Sequence, residues 1–253
     1  MVGAANTWDK QIERVGFALI PEVWQEGEIA SFLCELGNLE NRGGRAGIRH
    51  ILSHPAVNAV AHDARLLGIA QNVLGAEAFP FRATLFDKSP GSNWLIAWHQ
   101  DTALPLTERR ETPGWGPWSV KERINYAHAP ASALEQVLAL RLHLDDSTQE
   151  NGPLRVLPGT HRTGVLSDDE VERTANRGTP RECLVACGGH TGYASALDSC
   201  VVQGALTHAA ACPSHRVRCY FSGGRGIASG VGVIRVNGSP FSRSRSRFAG
   251  PSP

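Results

Sequence analysis

The chain has no apolar run approaching the roughly 20 residues that a helix needs to cross a bilayer, so no membrane span is expected. Nor does it carry an excess of either charge: 25 Lys and Arg against 24 Asp and Glu leave a formal net charge of +1. A near-neutral surface gives neither nucleic acid nor an acidic partner a field to follow, so neither is expected. The opening stretch MVGAANTWDKQIERVGF lacks the basic-then-apolar layout of a secretory leader. A cytoplasmic location follows as the expectation, with the cysteines as free thiols.

A sharper absence lies at the far end. From Ser199 onward there is no Asp, Glu or Lys, yet seven arginines occur there (216, 218, 225, 235, 243, 245 and 247). The first 198 residues therefore carry 18 basic and 24 acidic side chains, and the remaining 55 carry a formal +7. Five of the six cysteines (Cys183, Cys187, Cys200, Cys212, Cys219) fall between 183 and 219. The two stretches differ in kind, and a folded unit over 1–187 is expected to precede a largely disordered tail over 188–253.

What is present reads as helices followed by short strands. Val15 to Ile20 is a strand closed by Pro21. Glu26 to Leu39 has helical spacing, with Ile29, Phe32, Leu33 and Leu36 on one face. Ile51 to Leu74 is a second helical region, broken at His54-Pro55 and stopped at Gly75. Phe79 to Phe86 and Trp94 to Trp98 are β-like, with a turn cluster between them. Leu138 to Leu144 alternates leucines with Ala139, Arg141 and His143, the pattern of a half-buried strand. Leu154 to Leu157 is another strand. Thr102 to Tyr126, rich in Pro, Gly and Trp, reads as a functional loop beside a site. Helices first, then short strands with turns, predict a β-rich α+β fold: a β-sandwich or jelly roll with N-terminal helices.

The chemistry concentrates in Trp98-His99-Gln100-Asp101. Residues i and i+2 of a strand project to one side, so His99 and Asp101 can grip one divalent ion together. An imidazole and a carboxylate are two thirds of the 2-His-1-carboxylate triad that leaves positions open on non-haem Fe(II). Taken alone, the triplet favours a strand-end His and Asp engaged in ordinary hydrogen bonding, and the surrounding stretches change that balance. The histidines His54, His62, His128 and His143 are expected in structural, hydrogen-bonded roles.

Four stretches together resemble the phytanoyl-CoA dioxygenase family of Fe(II)/2-oxoglutarate oxygenases: Phe86-Asp87-Lys88-Ser89-Pro90-Gly91, Trp98-His99-Gln100-Asp101, Leu140-Arg141-Leu142-His143-Leu144-Asp145-Asp146, and Glu150-Asn151-Gly152-Pro153-Leu154 through His161. The resemblance spans roughly residues 12–187. It implies a double-stranded β-helix (cupin-like), His99 and Asp101 as iron ligands, and Trp118 and Asn151 beside 2-oxoglutarate. It also implies a small or medium organic substrate hydroxylated at the expense of O2 and 2-oxoglutarate.

The same family pattern requires a second iron-binding histidine and a 2-oxoglutarate-gripping arginine near the C-terminal strands, and residues 188–253 contain no such string. Read one base later, the codons of His190 to Gly204 permit I-L-A-M-R-P-L-L-I-H-A-S-S-K, with the histidine at position 199. His208 to Cys219 permit M-R-P-R-V-L-H-I-E-Y-A-A. The outer bases of each codon are forced and only the middle one is free. A frameshift near Gly188-Gly189 is therefore expected, with the C-terminal strands missing or disordered and activity lost or impaired. Two other readings stay open: a non-catalytic barrel, and a zinc-stabilised interaction protein using Cys183, Cys187, His190, Cys200, His208, Cys212, His215 and Cys219.

Overall fold

The computed structural model describes residues 7–21, 23–37, 48–87, 97–149, 152–194, 202–204 and 217–225. Its elements, in chain order, are α1 (Thr7–Val15), β1 (Phe17–Ile20), α2 (Glu26–Leu36), β2 (Ile48–Arg49), a 3-10 turn (Ile51–Ser53), α3 (Pro55–Ala61), α4 (Ala64–Leu74) and β3 (Ala78–Asp87). Then follow β4 (Ala103–Leu106), β5 (Trp118–Lys121), β6 (Ile124–His128), α5 (Ala131–Leu134), β7 (Val137–His143) and β8 (Leu154–Val156). The remainder is a 3-10 turn (Thr160–Arg162), α6 (Asp168–Arg177), β9 (Arg181–Cys183), β10 (His190–Ala194), β11 (Val202–Gly204) and β12 (Val217–Arg225).

Local signals account for the helical half. The α2 helix buries Ile29, Phe32 and Leu36 and ends at Gly37, whose φ of 55° only glycine adopts freely. Pro55 opens α3, where its missing N–H costs no helical bond. Asp63 caps α4 by accepting the Arg65 N–H at 2.9 Å. No helix among the described residues is long and apolar enough to cross a membrane.

Six antiparallel strands form the main sheet in the order β1-β10-β7-β12-β3-β2. Its two faces are set by strand alternation. Leu138, Leu140, Leu142 and Leu144 join Ala18, Ile20, Ala83 and Leu85 in one core with the buried residues of α1 to α4. On the opposite face Phe17 and Ala139 meet Leu154, Val156 and Cys183 from the smaller sheet β11-β8-β9. Two facing sheets with helices packed outside are the sandwich that the alternation in Leu138–Leu144 predicts. A third sheet, β4-β6-β5, adds Leu104 of β4 to a cluster in which Ala129 and, from α5, Leu134 cover Phe81 and Val137.

Four regions depart from the sequence-based picture. The expected loop from Thr102 to Tyr126 contains β4, β5 and the start of β6; these strands are too short for their alternation to stand out. Helices α1 and α6 carry no aliphatic stripe of the usual width, since α6 buries only Val171. The 88–96 turn and most of the expected strand Trp94–Trp98 lie outside the described residues. Expected to be missing or disordered, the far end instead supplies three strands among the described residues. There β10 lies between β1 and β7, and β12 between β3 and β7. Ladder bonds are made by main-chain groups that every non-proline residue carries, so a strand slot can be filled irrespective of side-chain chemistry.

Candidate metal centre

No named strand covers residues 97–102; His99 makes a lone β-bridge there. The two candidate ligands nevertheless project together. His99 Nε2 stands 3.7 Å from Asp101 Oδ1, and the side chains are 42% and 33% exposed, which leaves the pair reachable from solvent. The other ring nitrogen, Nδ1, lies 2.9 Å from the Ala97 carbonyl oxygen. A carbonyl only accepts, so Nδ1 is the donor there, and Nε2 is the ring nitrogen turned toward Asp101. Metal-bound histidines are commonly oriented in this way.

The residues between and beside the pair face elsewhere. Trp98 packs against the cluster of Leu157, Leu166, Val171 and Ala175, under the Arg155 guanidinium 5.4 Å from its ring centroid. The Gln100 amide donates to Gly164 O at 3.1 Å and accepts from the Leu166 N–H at 2.7 Å. Thr102 Oγ1 shares a 2.7 Å hydrogen bond with His128 Nδ1, and its carbonyl accepts from Ala129 N. These supports escape a reading of the chain by eye, because their partners lie 26 to 66 residues away.

Trp118 opens β5 opposite Ala127 of β6, while β4, starting two residues after Asp101, pairs with the other edge of β6. The third sheet therefore joins the metal motif to the strand bearing Trp118. The Trp118 indole Nε1 is a buried donor without a hydrogen-bond partner among the described residues, and the Arg109 guanidinium lies 5.8 Å from the ring centroid. Asn151 lies outside the described residues.

The donor types of His99 and Asp101 suit ferrous ion, and they are two of the three that a facial triad needs. Among the described residues no three His, Cys, Asp or Glu side chains converge. The cysteine-rich stretch shows this too. Cys183 is buried and Cys187 Sγ contacts Leu144 O at 3.4 Å. Cys200, His208, Cys212 and His215, and the side chain of Cys219, lie outside the described residues. Of the remaining histidines, His143 and His161 are fully buried, and His161 Nε2 donates to Glu13 O at 2.9 Å.

His190 is the anomaly. It is fully buried, and among the described residues neither ring nitrogen has a hydrogen-bond partner. In the ladder it sits between Ile20 and Leu142. Burial, followed by the nearby Arg65 charge, pushes its pKa down to about 3. An aliphatic side chain would suit this position better than an imidazole.

A sequence model of the family described as Phytanoyl-CoA dioxygenase (PhyH) matches residues 12–192. An ectoine dioxygenase of Bordetella parapertussis is 24% identical over 178 residues, covering 64% of this chain and 51% of that protein. An L-proline trans-4-hydroxylase of Streptomyces griseoviridis is 27% identical over 105 residues, 41% of this chain and 31% of its own. The chain thus spans about half the length of the ectoine dioxygenase, and less of the hydroxylase. Among solved structures, EctD from S. alaskensis with 2-oxoglutarate and 5-hydroxyectoine superposes with a TM-score of 0.63 at 18% identity, covering 88% of this chain and 76% of that one. The non-heme alpha ketoglutarate dependent carbocyclase SnoK gives 0.66 at 16% identity, covering 88% and 85%. These structural likenesses establish the fold, the double-stranded β-helix.

Proposed function

This chain belongs to the phytanoyl-CoA dioxygenase family, and from that premise we propose that it derives from an Fe(II)/2-oxoglutarate-dependent dioxygenase hydroxylating a small or medium organic substrate. The observation that carries the reading is the His99–Asp101 pair, with donor atoms 3.7 Å apart and the His99 tautomer set by Ala97. Relatives named for ectoine and proline oxidation support a small substrate.

His99 Nε2 and Asp101 would hold the metal. When bound, iron supplies open coordination positions where O2 and 2-oxoglutarate react, yielding succinate, CO2 and an oxygen atom for a substrate C–H bond. The protein's part is orientation. Nδ1 donates to the Ala97 carbonyl, so Nε2 is the nitrogen that His99 would offer to the metal. Trp118, with an unpartnered indole N–H, would border the cosubstrate, and Asn151 would line the same cavity. The 102–126 segment would shape the substrate pocket and limit access of water.

The proposal includes a reading-frame slip near Gly188-Gly189, which separates the chain as written from its working parent. His190 supports it: an imidazole without hydrogen bonds occupies a buried slot between Ile20 and Leu142, and the shifted frame permits isoleucine there. The slip would remove the third ligand and leave this chain inactive.

One experiment tests both parts. The source DNA is sequenced across codon 189, and the chain as written and its frame-corrected form are assayed with Fe(II), 2-oxoglutarate and ascorbate. Succinate from the corrected form alone, abolished by His99→Ala, is the expected result. An uninterrupted frame, with C-terminal peptides matching the present sequence, would overturn the slip. Absence of His99-dependent iron binding in a folded corrected form would overturn the oxygenase reading.

A further inference from the structure

Residues 98 to 102 divide by parity. The even positions are tied down: Trp98 by the Leu157–Val171 cluster and Arg155, Gln100 by two main-chain hydrogen bonds, Thr102 by His128. The odd positions, His99 and Asp101, face one another instead. In this segment only His99 makes a β-bridge, so the ladder does little to fix which way the side chains point. Besides the Ala97 carbonyl that holds the His99 ring, the anchored neighbours orient the backbone between the two ligands.

We infer that Gln100 is a positioning residue for the metal pair, an inference that rests on the metal-site reading of His99 and Asp101. Gln100 stands between the two ligands, and its side-chain amide is bound at both ends. Its oxygen accepts from Leu166 N–H and its nitrogen donates to Gly164 O. Those two main-chain groups flank Val165 immediately ahead of the Ser167 cap of α6. The ligand segment is thereby pinned to the start of a helix rather than to a neighbouring strand. A Gln100 amide flipped or lost would free the peptide between His99 and Asp101 to rotate, and would separate the two donors without touching either.

The probe is Cu(II), which binds nitrogen and oxygen donors most tightly among the first-row divalent ions. It is titrated into the full metal-free chain and followed by electron paramagnetic resonance, where a coordinated imidazole nitrogen leaves its splitting. The variants are His99→Ala, Gln100→Met and Gln100→Asn, each checked by thermal melting. Loss of a supporting hydrogen bond to a metal ligand's surroundings commonly weakens binding by about 10–100-fold. The expected result is a His99-dependent copper signal, weakened about tenfold or more in Gln100→Met with the melting temperature kept within a few degrees. Gln100→Asn keeps the amide on a shorter arm, so it should lose less. If the Met variant does not fold, the Asn variant decides: weaker binding at native stability supports the role, and unchanged binding refutes it. Unchanged copper affinity in folded Gln100→Met shows that Gln100 positions nothing. A copper signal that does not depend on His99 instead removes the metal-site reading on which this inference stands.

Discussion

A buried imidazole with no hydrogen bonds is costly twice over. At neutral pH His190 leaves two polar atoms dry, and each unsatisfied buried group costs about 1–3 kcal/mol. His190→Ile should therefore raise stability at pH 7 by at least about 1 kcal/mol, read by urea denaturation. The second cost depends on pH. With its pKa pushed down to about 3 in the fold and near 6.5 when unfolded, the residue takes up a proton only on unfolding throughout that window. Stability should fall as pH drops from about 6.5 toward 3, and His190→Ile should flatten that slope. Arg65 gives the opposite case. Its guanidinium donates to both Glu28 oxygens and both Asp63 oxygens, and side-chain hydrogen bonds to it hold both carboxyls below their usual values. Their contribution is full above the ordinary carboxylate range and is lost as pH falls through it and below. Arg65→Met should weaken that acid limb and, by taking a cation away from His190, also narrow the His190 window from its acid side. Because Arg65 is 41% exposed, the effect should be modest.

At the scale of elements, junctions are as informative as strands. Gly16 joins α1 to β1 at φ +86°, and a Cβ there would meet His161 Nδ1 at 2.7 Å. His161 and Arg162 in turn donate to Glu13 O, so the glycine, the histidine and the end of α1 form one latch. Gly16→Ala should destabilise the protein by about 1–3 kcal/mol from backbone strain alone, measured as a lowered melting temperature. Leu142, fully buried on the helix-facing side of β7, should cost about 2–5 kcal/mol when cut to alanine. Of these, β7 was legible beforehand and the α1–β1 junction was not. The alternation of Leu138 to Leu144 marks β7, and Pro55 and Gly75 bracket the helices at the ends the structure shows. The capping box of α6, Ser167 with Glu170, is also written in the sequence. With one buried side chain, however, that helix has no apolar period to announce it. The four-residue strands β4 and β5 escape for a related reason: too few residues to display a period of two.

For the whole molecule, the decisive feature is the change of composition near residue 188. The frame-corrected protein should melt above the chain as written. Its 190–194 stretch would place only apolar and arginine side chains where His190 now sits dry, and differential scanning calorimetry on the two forms measures the gap. Strand pairing by itself does not separate the two readings, because β10 and β12 meet their neighbours through main-chain groups. Side-chain burial bears on the proposed slip at one position, His190.

By itself the sequence determined the order of helices and strands, where several of them stop, and which two side chains could share an ion. Those properties are local: a period of two or 3.6, a proline, a glycine, an i and i+2 pair. Tertiary structure alone decided that His99 and Asp101 face each other, since their orientation depends on Gln100 reaching Gly164 and Leu166 and on Thr102 reaching His128. It alone decided that His190 lies buried between Ile20 and Leu142, within reach of the Arg65 charge. Contacts between residues so far apart in the chain leave no periodic trace, because they exist only once the sheets and helices have packed.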